Sequence, residues 1–175
     1  MIIVVDNGKG ASDISRFLRM KNTIAKPSIA KGADAYILSD GDMKNQKLNE
    51  KLIKKSKVPI LGIGVGALFI ASAFGSKIKK VPRVTGQERL SLLKPCPLTL
   101  NMKRMFSVHE DYQSVVEELP EGFDSSAKSR KYEFEVFQGF EKPFFGVQFN
   151  PEKGLDGLAV LRNFENFVEM WEKYH

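Results

Sequence analysis

Cysteine and histidine are scarce in this chain, which has one cysteine, Cys96, and two histidines, His109 and His175, among 175 residues. A single cysteine excludes an internal disulfide and a cysteine-based zinc cluster. Because the histidines are also so few, we predict neither a metal nor a cofactor. Cys96 is flanked by prolines rather than held on a tight turn, so we expect a structural role for it.

Long hydrophobic runs are also absent. No apolar stretch approaches the roughly 18 residues that span a bilayer. The first ten residues lack the basic region and the cleavage site of a signal peptide. We therefore expect no membrane partner and a cytoplasmic location.

The chain has a net charge of +6, but its lysines are dispersed. Two small clusters, Lys51 to Lys57 and Lys77 to Lys80, are typical of solvated surfaces. No recognised nucleic-acid motif or interleaved aromatic residue accompanies them, so we do not expect a nucleic acid as partner. An anionic partner or a nucleotide substrate stays open.

The first 75 residues alternate between strand and helix patterns, which indicates a parallel sheet covered on both faces. Apolar runs predict strands over Met1 to Asp6 and Ala35 to Leu38. The first helix should be capped by Ser12 or Asp13. The apolar faces of the two helices should hold Ile14, Phe17 and Leu18 in the first and Leu48, Leu52 and Ile53 in the second.

The second half is rich in short β-like runs that turns separate. The final segment is helical, with a stripe at helical spacing. We expect strands over residues 89–93, 98–100, 105–108, 132–137 and 144–149, and a stripe of Leu158, Leu161, Phe164, Val168 and Trp171. No linker interrupts the chain, so we predict a single domain over residues 1–175.

The segment from Val58 to Ala71 predicts a buried strand, a sharp glycine turn and a buried helix. In hydrolases, a turn of this kind holds a nucleophilic side chain above a sheet. Gly64 stands at the middle of the turn here. Because glycine has no side chain, this residue can neither attack a carbonyl nor hold a covalent intermediate.

Four segments in order resemble one family: residues 2–8 (IIVVDNG), 36–42 (YILSDGD), 59–68 (PILGIGVGAL) and 146–152 (GVQFNPE). The family is that of the class-I, or triad-type, glutamine amidotransferases, and within it the glutaminase subunit of two-subunit GMP synthases. The resemblance implies a flavodoxin-like three-layer α/β sandwich, with a mainly parallel central sheet and a β-rich second half.

The resemblance also assigns three triad positions. It puts Gly64 at the nucleophilic cysteine, Asn150 at the catalytic histidine and Glu152 at the carboxylate that orients the histidine. Asparagine cannot exchange a proton near neutral pH, whereas histidine can. The resemblance therefore implies a protein that does not hydrolyse glutamine.

Substrate recognition is altered in the same way. Where the family has His-Gln after the turn, this chain has Ala67 and Leu68, and the loop that would support the oxyanion carries Asp40 and Asp42 around a retained Gly41. Added carboxylates would oppose the charge that develops in hydrolysis. We expect a ligand pocket or former oxyanion region made of Asp40, Gly41, Val65, Gly66, Ala67 and Leu68.

His109 lies in a segment similar to the Ser-His-x-Asp of the family, although counting back from Pro120 puts Tyr112 at the histidine position. A surface histidine and a remnant that contacts a ligand are both open for His109. Glu152, without its histidine, should be a hydrogen-bonding or exposed acid.

Two functions from different classes follow. The first is a catalytically silent amidotransferase-like domain that binds or regulates a partner, such as a synthetase of the ATP-pyrophosphatase type, or that binds a small molecule. The second is an active enzyme with different chemistry, or a nucleotide-binding protein that uses the turn from Gly62 to Ala67. Glu88 is a loosely placed candidate for the acid that would bind the ribose.

Overall fold

The computed structural model describes residues 1–175. It contains four α-helices, α1 (Ala11–Phe17), α2 (Gln46–Lys55), α3 (Val65–Ala73) and α4 (Gly157–Tyr174). The strands are β1 (Ile2–Val5), β2 (Gly8–Lys9), β3 (Asn22–Ala25), β4 (Ala35–Leu38), β5 (Asp40–Gly41), β6 (Ile60–Ile63), β7 (Ile78–Leu92), β8 (Met105–Val116), β9 (Phe123–Lys128), β10 (Val136–Gly139) and β11 (Phe144–Val147). Short 3₁₀ turns cover Met43–Asn45, Pro97–Thr99 and Pro151–Lys153. None of the helices combines the length and the apolar character that a membrane span requires.

Nine strands form one mixed sheet in the order β3-β1-β4-β6-β11-β10-β9-β7-β8. The first five strands are parallel to one another, and each later pair is antiparallel. Strands β2 and β5 make a separate antiparallel pair that joins Lys9 to Asp40 in register. The sheet is thus parallel from β3 to β11, with β11 contributed by the second half of the chain, and antiparallel strands of the second half extend it beyond β11.

Helices cover both faces of the parallel part. Alternate residues of β1 point to opposite faces, so Ile2 and Val4 enter one core cluster while Ile3 and Val5 enter the other. Residues of α1 and α4 complete the first cluster, and residues of α2 and α3 complete the second. The α/β fold class is confirmed, and the three layers are those of a flavodoxin-like sandwich.

Helix α1 begins differently from the prediction. It starts at Ala11 after Gly10, which adopts a left-handed conformation, and neither Ser12 nor Asp13 caps it. Asp13 forms an ion pair with Arg16 instead, with 2.7 Å between Oδ1 and Nη2. The predicted apolar faces are also too wide, because Phe17 of α1 and Leu48 of α2 are 38% and 43% exposed.

The strand predictions in the second half are only partly right. Residues 98–100 are not a strand, because Pro97 begins a 3₁₀ turn in which the Thr99 N–H donates to the Cys96 carbonyl at 3.0 Å. The predicted strand over residues 132–137 starts only at Val136. Strand β9 was not predicted, and β7 and β8 are far longer than expected, because backbone pairing between them extends the ladder beyond the apolar runs.

Candidate functional site

The predicted strand-turn-helix is present, with β6 leading through Gly64 into α3. Gly64 has φ 55° and ψ −118°, a conformation that residues with a side chain rarely adopt. Its N–H donates to the Val147 carbonyl of β11 at 2.8 Å. A Cβ atom on Gly62 would lie 2.5 Å from the Gly66 carbonyl oxygen, and one on Gly66 would overlap the Leu38 carbonyl. The glycines therefore allow strand and helix to pack closely.

The carboxyl group of Asp40 fills the space above Gly64. A Cβ atom on Gly64 would lie 2.5 Å from both Cγ and Oδ1 of Asp40. Oδ1 accepts hydrogen bonds from the Gly41 N–H at 2.9 Å and from the Val65 N–H at 3.0 Å. Asp40 is only 5% exposed, so these backbone donors take the place of water at Oδ1.

Asn150 completes the contacts of the Asp40 carboxylate. Its Nδ2 donates to Asp40 Oδ2 at 3.2 Å, and its own N–H donates to the His109 carbonyl at 2.9 Å. Its Oδ1 is buried without a hydrogen-bond partner. An amide here can donate to a fixed carboxylate, but it has no proton to transfer near neutral pH.

Glu152 lies in the 3₁₀ turn just after Asn150 and is 4% exposed. Burial raises the pKa of Glu152 to about 7, and the negative charge of Asp40 adds to that rise against the opposing effect of its own backbone N–H. The side chain packs against Gly10, where a Cβ atom would lie 2.5 Å from Oε1. The structure thus brings positions 64, 150 and 152 together around Asp40.

A charged network continues outward from Asp40. Lys9 Nζ lies 3.5 Å from Asp40 Oδ2 and 2.7 Å from Asp111 Oδ2, and Arg83 Nε donates to Asp111 Oδ1 at 3.0 Å. Hydrogen bonds from Arg83 and Lys9 lower the pKa of Asp111 to about 2. Burial lowers the pKa of Lys9, but the hydrogen bond and charge of Asp111 and the charge of Asp40 outweigh it and raise that pKa overall. Each cation in the network therefore faces a carboxylate.

These residues line a cleft of about 360 Å³ beside the glycine turn. Four of the six residues predicted for the pocket lie in its wall, namely Asp40, Gly41, Val65 and Leu68. Gly66 and Ala67 do not, because Gly66 packs on the backbone of β4 and Ala67 is buried in the core. The remaining wall residues are Lys9, Met43, Arg83, Asp111, Tyr112, Gln113, Ser114 and Gln148.

The other candidates lie in different places. Tyr112 lines the cleft, whereas His109 contributes its backbone carbonyl to Asn150. Asp42 points to solvent and caps a 3₁₀ turn by accepting from the Lys44 N–H. Cys96 is buried in the core, away from the glycine turn. No group of three or more His, Cys, Asp or Glu side chains is arranged to hold a metal ion.

Sequence reasoning missed Lys9, Arg83 and Asp111. Lys9 and Asp111 each carried a local signal, since Lys9 directly follows the family-like segment that ends at Gly8 and Asp111 ends the Ser-His-x-Asp-like segment around His109. Arg83 and Asp111 lie on the long β7 and β8 strands, whose pairing was not predicted.

Comparison with known proteins identifies the relatives of this chain. The family model of class-I glutamine amidotransferases matches residues 13–168. The glutamine-hydrolyzing GMP synthase subunit of Methanocaldococcus jannaschii is 31% identical, over 94% of this chain and 95% of the relative. Anthranilate synthase component 2 of Archaeoglobus fulgidus is 34% identical, over 78% of this chain and 75% of the relative.

Solved structures agree with these matches. A candidate GMP synthase subunit from Thermoplasma acidophilum superposes with a TM-score of 0.92 at 27% identity, over 98% of this chain and 95% of that one. A glutamine amidotransferase from Thermotoga maritima gives a TM-score of 0.70 at 16% identity, over 98% and 82% of the two chains, which supports the fold alone.

Proposed function

This chain belongs to the class-I glutamine amidotransferase family, and we propose that it does not hydrolyse glutamine and acts by binding a partner protein. The observation that carries the proposal is the position of the Asp40 carboxylate above Gly64. Acyl transfer at such a turn needs a nucleophile there and an empty set of N–H donors for the developing oxyanion. Here the nucleophile is missing and the donors are occupied.

The occupied donors argue against hydrolysis independently of Gly64. In a nucleophile-bearing turn, the N–H of the residue after the nucleophile helps to bind the oxyanion. The corresponding N–H, that of Val65, already binds Asp40 Oδ1. A glutamine side chain would have to displace a buried carboxylate and would then meet its negative charge. Asn150 offers no proton transfer in place of histidine.

The partner that we propose is a synthetase of the ATP-pyrophosphatase type. Support comes from the relatives, which are named as glutamine-hydrolyzing subunits of GMP synthase and which this chain matches over almost its whole length. A silent copy that keeps the outer surface could occupy the same position on a synthetase, and so regulate it or compete with an active glutaminase. The cytoplasm is the location that this role requires.

The direct test is glutaminase activity of the purified protein, alone and with its cognate synthetase, together with calorimetric titration of the two proteins. We expect heat of binding and no release of glutamate. Release that an active-site inhibitor blocks, and that a mock purification lacks, would overturn the catalytic part of the proposal. Absence of binding to the synthetase would overturn the part that concerns the partner.

A restorative series tests the role of Asp40. We expect Gly64→Cys with Asn150→His to remain inactive, because the new side chain at position 64 would meet the Asp40 carboxyl group. Adding Asp40→Gly removes that group and frees the Val65 N–H, so any recovered glutaminase activity should appear only in the triple variant. Activity in the double variant would show that Asp40 does not block the site.

The alternative of nucleotide binding at the turn finds less support. A pyrophosphate needs free N–H groups at the start of the helix, yet the N–H of Gly64 donates to Val147 and that of Val65 donates to Asp40. Glu88 forms an ion pair with Lys131, at 3.7 Å. A rise in unfolding temperature on addition of NAD or NADP would favour the alternative.

A further inference from the structure

Two glutamates are completely buried beneath the antiparallel part of the sheet. Glu110 lies on β8, on the same face as the core residues Phe106 and Val108, and Glu135 immediately precedes β10. Both are 0% exposed. The Gln148 N–H donates to the Glu135 carbonyl and the Asn150 N–H donates to the carbonyl of His109, each at 2.9 Å, so one short segment holds both glutamates. Each carboxyl group acts on the pKa of the other. Neither belongs to the cleft or to the triad positions.

The pair has almost no donors. None of its four carboxyl oxygens accepts a hydrogen bond of normal geometry from the protein. The Ser129 hydroxyl is the one other polar side chain that is close enough to favour the charged form of Glu135. Two neighbouring carboxylates without donors would repel each other in a medium of low dielectric constant. A proton between them removes the repulsion and supplies the missing donor.

The surrounding titratable groups do not provide a compensating cation at the pair. Those that act on it from the packed elements are Glu88 of β7, His109 and Tyr112 of β8, and Lys131 and Tyr132 between β9 and β10. Lys131 is more than half exposed, and Glu88, with which it pairs, adds negative charge. Burial raises the pKa of both Glu110 and Glu135, and the interaction between the two carboxyl groups raises the pKa of Glu135 further while it opposes the rise for Glu110.

We propose that Glu110 and Glu135 hold one proton between them at neutral pH, and that this proton is a pH-sensitive latch that fastens β8 to the start of β10. The latch lies behind the cleft. Its neighbours in the chain are His109, whose carbonyl binds the Asn150 N–H, and Asp111, which binds Lys9. Loss of the proton would therefore push apart the strands that position the cleft wall.

Infrared spectroscopy tests the proton directly. Glu152→Gln is the background, because it removes the one other buried carboxylic acid with a raised pKa. At pH 8 we expect the carbonyl band of a protonated carboxylic acid in this background. The band should persist on adding Glu133→Gln, an exposed control, and vanish on adding Glu110→Gln with Glu135→Gln. Absence of the band from the background protein, or its survival without both glutamates, would overturn the proposal.

Stability provides a second measurement. The folded state keeps a proton that the unfolded chain releases above about pH 4.5, so stability falls as the pH rises from there towards the raised folded-state pKa. Between pH 6 and pH 8, the unfolding constant of the background protein should rise about 100-fold relative to the variant without both glutamates, or tenfold per pH unit for one proton. Parallel pH profiles would contradict the latch, and neither measurement depends on glutaminase activity or on a synthetase.

Discussion

Glu165 on α4 and the pair of Glu110 and Glu135 are equally buried, but they meet different surroundings. Glu165 Oε1 accepts from the Arg19 N–H at 2.6 Å and from the Met20 N–H at 2.7 Å. The pair beneath β8 has no comparable donors. The first site lies where α4 packs on the parallel part of the sheet, and the second lies under its antiparallel extension.

The difference shows that burial alone does not decide the state of a carboxyl group. Hydrogen-bond donors and cations both favour a charged carboxylate in the interior. Glu165 and Asp40 each accept two backbone N–H hydrogen bonds. Each also faces a cation at 3.5 Å, Arg19 for Glu165 and Lys9 for Asp40. Without donors, the acid must keep its proton. The comparison therefore predicts, for each buried acid, whether a rise in pH or a substitution raises or lowers the stability of the folded protein.

Among the acids outside the pair, the largest effect should come from Glu152, a buried acid with neither side-chain donors nor an acidic partner in contact. Since its pKa rises from 4.5 to about 7 on folding, stability should be full below pH 4.5 and fall by about 3 kcal/mol as the pH rises through 7. Urea unfolding at pH 4.5 and 8 measures this. Glu152→Gln should remove this contribution and leave only the pH dependence of Glu110 and Glu135, whereas the exposed control Glu121→Gln should leave the whole profile unchanged. If the pH dependence of stability were the same in Glu152→Gln as in the unmodified protein, a buried acid without donors would not keep its proton as stated above.

Glu165→Ala should have the next largest effect. This variant tests how much the backbone donors around a buried carboxylate contribute to stability. It leaves the Arg19 and Met20 N–H groups without their acceptor, which should destabilise the protein by about 2 kcal/mol at pH 7. Chemical denaturation is the measurement. The control is Glu169→Ala, one helical turn later and exposed. Equal stability of the two variants would mean that the donors contribute nothing.

The smallest effect should be that of Asp111→Asn. The carboxylate binds Lys9 and Arg83, but their side chains are 37% and 59% exposed, so solvent screens the interaction and the loss should be below about 1 kcal/mol. Because the pKa of Asp111 is lowered to about 2, its contribution is present above pH 4 and disappears as the pH falls through 2. Thermal unfolding at low and high salt should show the difference shrinking in salt. A loss of several kcal/mol would contradict this ranking.

The sequence predicted four of the five parallel strands, β1, β4, β6 and β11, because they are continuous apolar runs buried on both faces. It missed the edge strand β3, which has polar residues and no buried one. Strand β4 and the turn after β6 lie where the sequence put them. It predicted β7 poorly, since that strand contains Lys79, Lys80 and Pro82 and has only one fully buried residue, Leu90. Such a strand is stabilised by its backbone ladder to β8, which no local pattern reveals.

The site was predictable where family-like motifs mark it and unpredictable where distant strands meet. Asp40, Gly64 and Asn150 come from such motifs, and they do lie together. The ion pair between Lys9 and Asp111 joins residues 102 positions apart. The two loop acids also looked alike in sequence, but only Asp40 turns inward, because the Gly41 and Val65 N–H groups bind it.

The fit between Asp40 and Gly64 also limits the routes by which this sequence can change. A side chain added at position 64 while Asp40 is present meets its carboxyl group, and Asp40 removed first leaves two N–H groups without their acceptor. Each single step is therefore destabilising, although the two together need not be. A nucleophilic side chain at this turn would therefore require both changes at once, or a prior gain in stability elsewhere.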